Sequence, residues 1–238
     1  MGWPIPANLH AAIVDLDGTM IDTLGDFVVA LGAVLAGFGL PPVDRAFVER
    51  TVGRGSEHLV RSTLARAGAD AGLYEVAMVR YQQHYEAING QHSAVFAGVV
   101  EGLDRLKAHG LKLACLTNKP TAFALPLLRS KGLAGYFSHV FGGDAFERRK
   151  PDPLPLLKTC EALGSLPART LMVGDSINDA LAARAAGCPV VLVTYGYNHG
   201  HSVAEVDADA TVDRLDQIFS HWHSIQPGAS CSNHAPTK

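Results

Sequence analysis

The apolar run Ala11 to Val14 ends in Asp15-Leu16-Asp17-Gly18-Thr19, and the next run of that kind, Leu111 to Leu116, begins nearly a hundred residues later. A short apolar run bounded by turn residues reads as a buried strand. No simple crossover connection is that long, so a folded unit must stand between these two strands. Beyond Leu111 the pattern becomes regular. Apolar runs at His139 to Phe141, Thr170 to Val173 and Val190 to Val193 alternate with helical patterns near Ala122 to Lys131, Pro153 to Leu163 and Asn178 to Ala186. A further helix, near Gly98 to Ala108, precedes Leu111, and Gly110, Gly132, Gly164 and Gly187 follow the four helices as stop signals.

Strands alternating with helices, with continuous rather than alternating hydrophobicity, define parallel βαβ units covered on both faces. The expected fold is therefore α/β: a doubly wound parallel-sheet (Rossmann-like) core with an inserted small helical cap domain. Residues 1–19 and 96–223 are assigned to the core and 20–95 to the cap, where Val60 to Ala67 and Tyr74 to Ile88 read as helices and no convincing strand occurs. The Ser-, Pro-, Asn- and Gly-rich segment 224–238 is expected to be a disordered tail. The stretch Phe27 to Val43 carries no charge, but Gly32, Gly37, Gly39, Pro41 and Pro42 interrupt it. It is shorter than the roughly 20 apolar residues a bilayer span needs and is read as a buried helix.

Composition restricts the partners. With 20 basic against 23 acidic residues, the chain of 238 has no overall positive field to attract nucleic acid or anionic lipid. An anionic ligand must be held by local groups. Cys115, Cys160, Cys188 and Cys231 form no C-x-x-C pair, and Met1 to His10 does not resemble a secretory leader, so a reducing cytoplasm is expected. Nothing in the residues chooses between monomer and homodimer.

In open α/β sheets ligands bind at the carboxyl ends of strands. The residues there are Asp15 and Asp17 after the first run, Thr117, Asn118 and Lys119 after the second, and Asp175 with Asp179 after Thr170 to Val173; Lys150 stands before Pro151 and a helix. Taken singly, an Asp after a strand is ordinarily a helix cap and a lysine ordinarily solvated. Their joint placement at successive strand ends points to chemistry. Two carboxylates two residues apart on an extended chain start roughly 6.6 Å apart. At an effective dielectric near 20 they repel by about 2.5 kcal/mol, nearly two pKa units. Four such groups around one crevice call for Lys150 and a divalent cation, with a proton on one carboxyl to ease the remainder and serve as a general acid. Oxygen-only ligands favour Mg²⁺. His199 and His201, like His221 and His223, lack further spaced ligands and are read as ordinary residues; Gly196 and Gly200 are read as turn residues.

The segments Asp15-Leu16-Asp17-Gly18-Thr19, Leu116-Thr117-Asn118, Lys150-Pro151 and Gly174-Asp175-Ser176 to Asp179, in that order, resemble the four motifs of the haloacid dehalogenase superfamily. Thr117-Asn118-Lys119-Pro120-Thr121, Lys150-Pro151-Asp152-Pro153 and Tyr195-Gly196-Tyr197-Asn198 are similar to bacterial phosphoglycolate phosphatases; Met20 replaces a common leucine with little change of volume. The resemblance implies a phosphomonoester hydrolase acting on a small anionic phosphate ester, with 2-phosphoglycolate the expected substrate. It implies that Asp15 is the nucleophile, Asp17 the acid and base, and Thr117 and Lys150 the holders of phosphoryl oxygens. Asp15, Asp175 and the Asp17 carbonyl would take Mg²⁺, with Asp179 in the outer shell. Asn118, Gly53, Arg54 and Lys119 are the further substrate-binding candidates, Arg54 because a guanidinium pairs bidentately with a carboxylate. A sugar phosphomutase or a phosphatase of another small ester shares this core. A dehalogenase would not need Asp17, and a phospho-accepting signalling domain is roughly half this length.

Overall fold

The computed structural model describes residues 8–218. The expected tail at 224–238, Cys231, His221, His223 and residues 1–7 lie outside the described residues. From β1 (Ala11–Val14) the chain enters an excursion that opens with β2 (Ile21–Asp22) and contains α1 (Leu24–Ala36), α2 (Arg45–Thr51), α3 (Ser56–Arg66) and α4 (Tyr74–Ile88) before β3 (Ala94–Val95). It continues through α5 (Val99–Ala108), β4 (Lys112–Leu116), α6 (Thr121–Ser130), β5 (His139–Phe141), α7 (Leu154–Leu163), β6 (Thr170–Gly174), α8 (Ile177–Ala186), β7 (Val190–Val193) and β8 (Ala210–Val212).

The large sheet has the order β5-β4-β1-β6-β7-β8 and every pairing in it is parallel. Side chains alternate across a strand, so a run buried at every position needs cover on both faces. One face carries Ala12, Val14, Leu113, Cys115 and Val173 against Leu103, Leu106 and Leu127 of α5 and α6. The other carries Ile13, Ala114, Leu116, Met172 and Leu192 against Leu156, Cys160 and Ala183 of α7 and α8. Each large aliphatic side chain so buried contributes about 1.5–3 kcal/mol. The chain runs outward from β1 to β4 and β5, then returns through α7 to β6 on the other side of β1. That reversal opens a crevice at the carboxyl ends of β4, β1 and β6.

The excursion is helical apart from β2 and β3, whose two-residue antiparallel pairing joins its ends. The expectation of no strand there is corrected by this pair, which is too short to leave an alternation in the sequence. β8 also escaped sequence reading: at the sheet edge only Val212 of its three residues is buried, so its apolar signal is weak. Only the first part of the uncharged stretch from Phe27 is helical: α1 runs through Gly32 and ends at Ala36, before Gly37, Gly39, Pro41 and Pro42. Its inward positions Phe27, Ala30, Leu31 and Val34 pack with Leu59, Leu64, Tyr81 and Tyr85, and with Phe123 and Tyr197 of the core. The buried Asp26 carboxylate accepts from Gly90 N at 2.8 Å and His92 N at 2.7 Å, tying α1 to the turn after α4. No helix among the described residues is long and apolar enough to cross a membrane. Cys160 and Cys188, far apart in sequence, lie with their Sγ atoms 3.9 Å apart, a proximity that motif spacing does not reveal.

Candidate active site

Asp15, Thr117 and Asp175 each directly follow one of the adjacent strands β1, β4 and β6, so the sheet brings their side chains to one crevice. Gly18 turns the chain away with φ 86°, and a Cβ there would collide with the Asp175 carboxylate. Gly196 is the same case from the other side: a Cβ would strike the Asp175 side chain. Its role is close approach rather than the turn expected of it. The Tyr195-to-Asn198 segment buttresses the crevice. Tyr195 Oη donates to Thr19 O at 2.7 Å, Tyr197 N to Asp175 Oδ2 at 2.6 Å, and Ile177 N to Asn198 Oδ1 at 2.8 Å.

The Lys150 ammonium lies in the middle of the acidic groups. It donates to Asp179 Oδ1 at 2.7 Å and Leu116 O at 2.9 Å, and stands 2.9 Å from Asp15 Oδ1. Burial works against its charge, but the Asp15 and Asp179 carboxylates outweigh that and hold its pKa above the ordinary lysine value. Asp179 is committed twice over. Its Oδ2 accepts from Ser176 Oγ at 2.9 Å and from Ser176 N at 3.2 Å, closing a capping box at the start of α8. Asp175 accepts from Thr19 Oγ1 at 2.9 Å.

These donors do not neutralise the acids. Burial pushes the Asp15 carboxyl up to about 7; Lys150 lowers it, while Asp179 and Asp17 add to the rise. Burial, then the charges of Asp179 and Asp15, push Asp175 well above the usual carboxylate range. Asp15 Oδ1 is buried 2.9 Å from the Lys150 ammonium. One carboxylate oxygen from each of Asp15, Asp175 and Asp179 can be found within 4.8 Å of the others. Lys150 is joined in the site by a second buried lysine, Lys119. Lys119 Nζ lies 2.9 Å from Asp17 Oδ1 with both side chains largely buried. Four carboxylates facing two ammonium groups lack two positive charges, which is the charge of one hard divalent cation taken through oxygen.

The rest of the pocket comes from the helical insertion. Phe27, Leu59, Tyr81 and Tyr85 face the charged residues, with Phe123 and Tyr197 from the core. Tyr85 accepts from Lys119 Nζ at 2.6 Å, and the ammonium also sits 4.6 Å from the Phe27 ring centroid. Burial, then the charge of Asp17, holds the Tyr85 hydroxyl well above its ordinary pKa, so it remains protonated.

The loop at residues 52–55 meets the core directly. Gly53 O accepts from Asn118 Nδ2 at 2.9 Å and Asn178 Nδ2 at 3.3 Å. The Asn118 amide also bonds both backbone groups of Lys150, donating to its carbonyl at 2.8 Å and accepting from its N–H at 3.1 Å. Its side chain is thus engaged with protein, and it positions Lys150. Gly53 and Gly55 line the pocket, whereas Arg54 between them is exposed and does not. Asn178 and His199 were not singled out as site residues. His199 Nε2 lies 3.2 Å from Asn178 Nδ2, and its Nδ1 is 3.2 Å from Arg50 O at the end of α2. Asn178 falls between Asp175 and Asp179, a position that could have drawn attention to it; Tyr85 showed only the helical spacing of a core stripe.

A fold of this kind, with acids after β1 and β6, a threonine after β4 and a buried lysine before α7, matches a known family over most of its length. Residues 12–193 match the model of the haloacid dehalogenase-like hydrolases, and the chain belongs to that family. It is 45% identical over 216 residues to the phosphoglycolate phosphatase of Thiobacillus denitrificans, covering 90% of this chain and 94% of that one. It is 43% identical over 218 residues to the phosphoglycolate phosphatase of Nitrosospira multiformis, at 90% and 95% coverage. The crystal structure of a predicted phosphoglycolate phosphatase from Haemophilus somnus superposes with a TM-score of 0.86 at 31% identity, over 90% of this chain and 97% of that chain.

Proposed function

We propose that the chain is a magnesium-dependent phosphatase that hydrolyses 2-phosphoglycolate to glycolate and phosphate through an aspartyl-phosphate on Asp15. The observation that carries this reading is the buried Asp15 carboxylate at the end of the central strand, flanked by Lys150 and Asp175 in the pocket between core and insertion. Relatives at 43–45% identity bearing the phosphoglycolate phosphatase name support the substrate.

In this reading an Asp15 oxygen attacks phosphorus and the ester oxygen departs with a proton from Asp17. Water, deprotonated by Asp17, then attacks the phosphorus of the acyl-phosphate, and the Asp15 carboxylate leaves. Thr117 and Lys150, with the backbone at Asn118, hold the non-bridging phosphoryl oxygens, and this preorganised positive charge supplies most of the acceleration. Asp15, Asp175 and the Asp17 carbonyl would hold Mg²⁺, with Asp179 behind them fixing Lys150. Bound there, the ion supplies the missing positive charge that lets an anionic ester approach an anionic carboxylate. Residues 20–95 act as the cap that selects the leaving group, over a core formed by 1–19 and 96–223. Within the cap loop Gly53 shapes the wall; Lys119 is favoured over the exposed Arg54 as the partner of a substrate carboxylate. The protein works in the cytoplasm on a freely diffusing ester.

Acid quench during turnover of phosphate-labelled 2-phosphoglycolate by the magnesium-loaded protein tests this reading. Labelled phosphate bound to Asp15, and absent from Asp15→Asn, is the expected result. Turnover without such an adduct overturns the mechanism, and a hundredfold preference for another ester overturns the substrate.

A further inference from the structure

Lys119 is a buried cation whose hydrogen bonds are incomplete. Its ammonium has three N–H groups. One points to Asp17 Oδ1 at 2.9 Å and one to Tyr85 Oη at 2.6 Å, and among the described residues no third acceptor is recorded. The ring centroids of Phe27 and Tyr85 lie 4.6 Å and 4.7 Å from the nitrogen. Those aromatic faces attract the charge and exclude water without accepting the remaining proton in a strong bond. Lys119, Asp17, Tyr85 and Phe27 all line the same pocket.

One acceptor off the C–N axis sets the rotation of an ammonium, and a second deepens that preference, so the two together hold the third N–H in one direction. Tyr85 is that second partner, and it is itself immobile. It is fully buried, stacked on Phe27 at 5.3 Å and packed against Phe123 at 5.0 Å between ring centroids. We infer that Tyr85 is a specificity-determining positioning residue: from the cap it aims the free N–H of Lys119 at an anionic group on the leaving alcohol, a short and fixed distance from the ester oxygen.

The distance follows from the proposed function, on which this inference rests. Asp17 meets the ester oxygen, and Lys119 meets Asp17. With roughly 3 Å for each hydrogen bond, only a spacer of one or two carbons lets a carboxylate reach Lys119 while its ester oxygen stays on Asp17. Longer acids overshoot, and neutral alcohols leave the N–H unpaired in a dry site, which costs affinity.

The test compares kcat/KM for 2-phosphoglycolate, ethyl phosphate of similar size without the carboxylate, and 4-phosphooxybutanoate, a longer acid, in wild type and Tyr85→Phe. This substitution removes one oxygen and keeps the ring. Wild type is expected to prefer 2-phosphoglycolate to both others. In Tyr85→Phe the preference over ethyl phosphate should fall about tenfold, mostly through KM for 2-phosphoglycolate. Lys119→Met, which keeps the length and loses the charge, should erase the preference altogether. Wild type without any preference for 2-phosphoglycolate sinks the proposed substrate and this inference with it. A preference present in wild type and unchanged in Tyr85→Phe sinks only the inference, as does an equal loss on both two-carbon esters. If Tyr85→Phe fails to fold, Phe27→Leu provides the second reading: it loosens the same cage, and an unaltered preference there overturns the inference.

Discussion

The two walls of the pocket each hold a buried lysine, and the two differ in how completely they are held. On the core wall Lys150 has the Leu116 carbonyl and the carboxylates of Asp15 and Asp179 within 2.9 Å. On the cap-facing wall Lys119 has two partners and two aromatic faces. A cation locked into the frame suits a group that is identical in every substrate, and the phosphoryl group is such a group. A cation left one bond short suits the part that varies. On the proposed reading, catalysis and selection fall to opposite walls, so substitutions should separate them.

The largest separation is expected at Asp15. Asp15→Asn should lower kcat by about 10⁴-fold or more for every ester alike, since it removes the proposed nucleophile and not a selecting contact. It should also leave the protein folded, with a pH signature. The Asp15 pKa is raised to about 7 in the folded chain from 3.8. Between those values the folded state binds more protons than the unfolded one, so the contribution of Asp15 is fully present below pH 4 and is lost as pH rises through 7. In metal-free protein the melting temperature of wild type should therefore fall relative to Asp15→Asn between about pH 4 and pH 7. Saturating Mg²⁺ at pH 7.5 should raise wild type more than the variant, because the ion binds the folded state. A difference in melting temperature independent of both pH and Mg²⁺ would remove the charge deficit from the account.

The walls are joined where Gly53 O accepts from Asn118 and Asn178. Asn178→Ala removes one of these bonds and the contact to His199 without touching the acids. KM should rise about three- to tenfold for 2-phosphoglycolate and ethyl phosphate together, with kcat nearly unchanged. Steady-state kinetics on the two esters decides it; an effect confined to one ester would mean that this contact selects rather than closes.

How far the sequence revealed the molecule follows the same division. The core wall was legible because continuous apolar runs mark strands buried on both faces, and the residue after each run must lie at the sheet edge. Asp15, Thr117 and Asp175 could be located in that way. The cap wall was not legible, because Ala77, Tyr81 and Tyr85 sit four residues apart and read as the packing stripe of a helix. Periodicity reports that a face is buried and is silent on what the Tyr85 hydroxyl meets there. Lys119 was visible as a candidate, but its pairing with Asp17 spans 102 positions and depends on the return path of β4 beside β1. The strands β2 and β3 were missed for want of length, since two residues cannot establish a period, and β8 was missed because only Val212 of its three residues is buried.

The smallest effect is expected at Arg54, the residue whose chemistry looked most suited to a carboxylate. Its guanidinium is exposed on a loop whose neighbours, Gly53 and Gly55, face the pocket in its place. Both glycines have positive φ, 106° and 90°, so the backbone turns its bare edge inward and carries the side chain between them outward. An arginine reaching the substrate would contribute about 1.5–3 kcal/mol through charged hydrogen bonds, a loss of tenfold or more on substitution. A solvated one contributes little. Arg54→Ala should thus change kcat/KM by less than about twofold for 2-phosphoglycolate and for ethyl phosphate. A selective tenfold loss on 2-phosphoglycolate would transfer recognition of the carboxylate from Lys119 to the cap loop and erase the division between the walls.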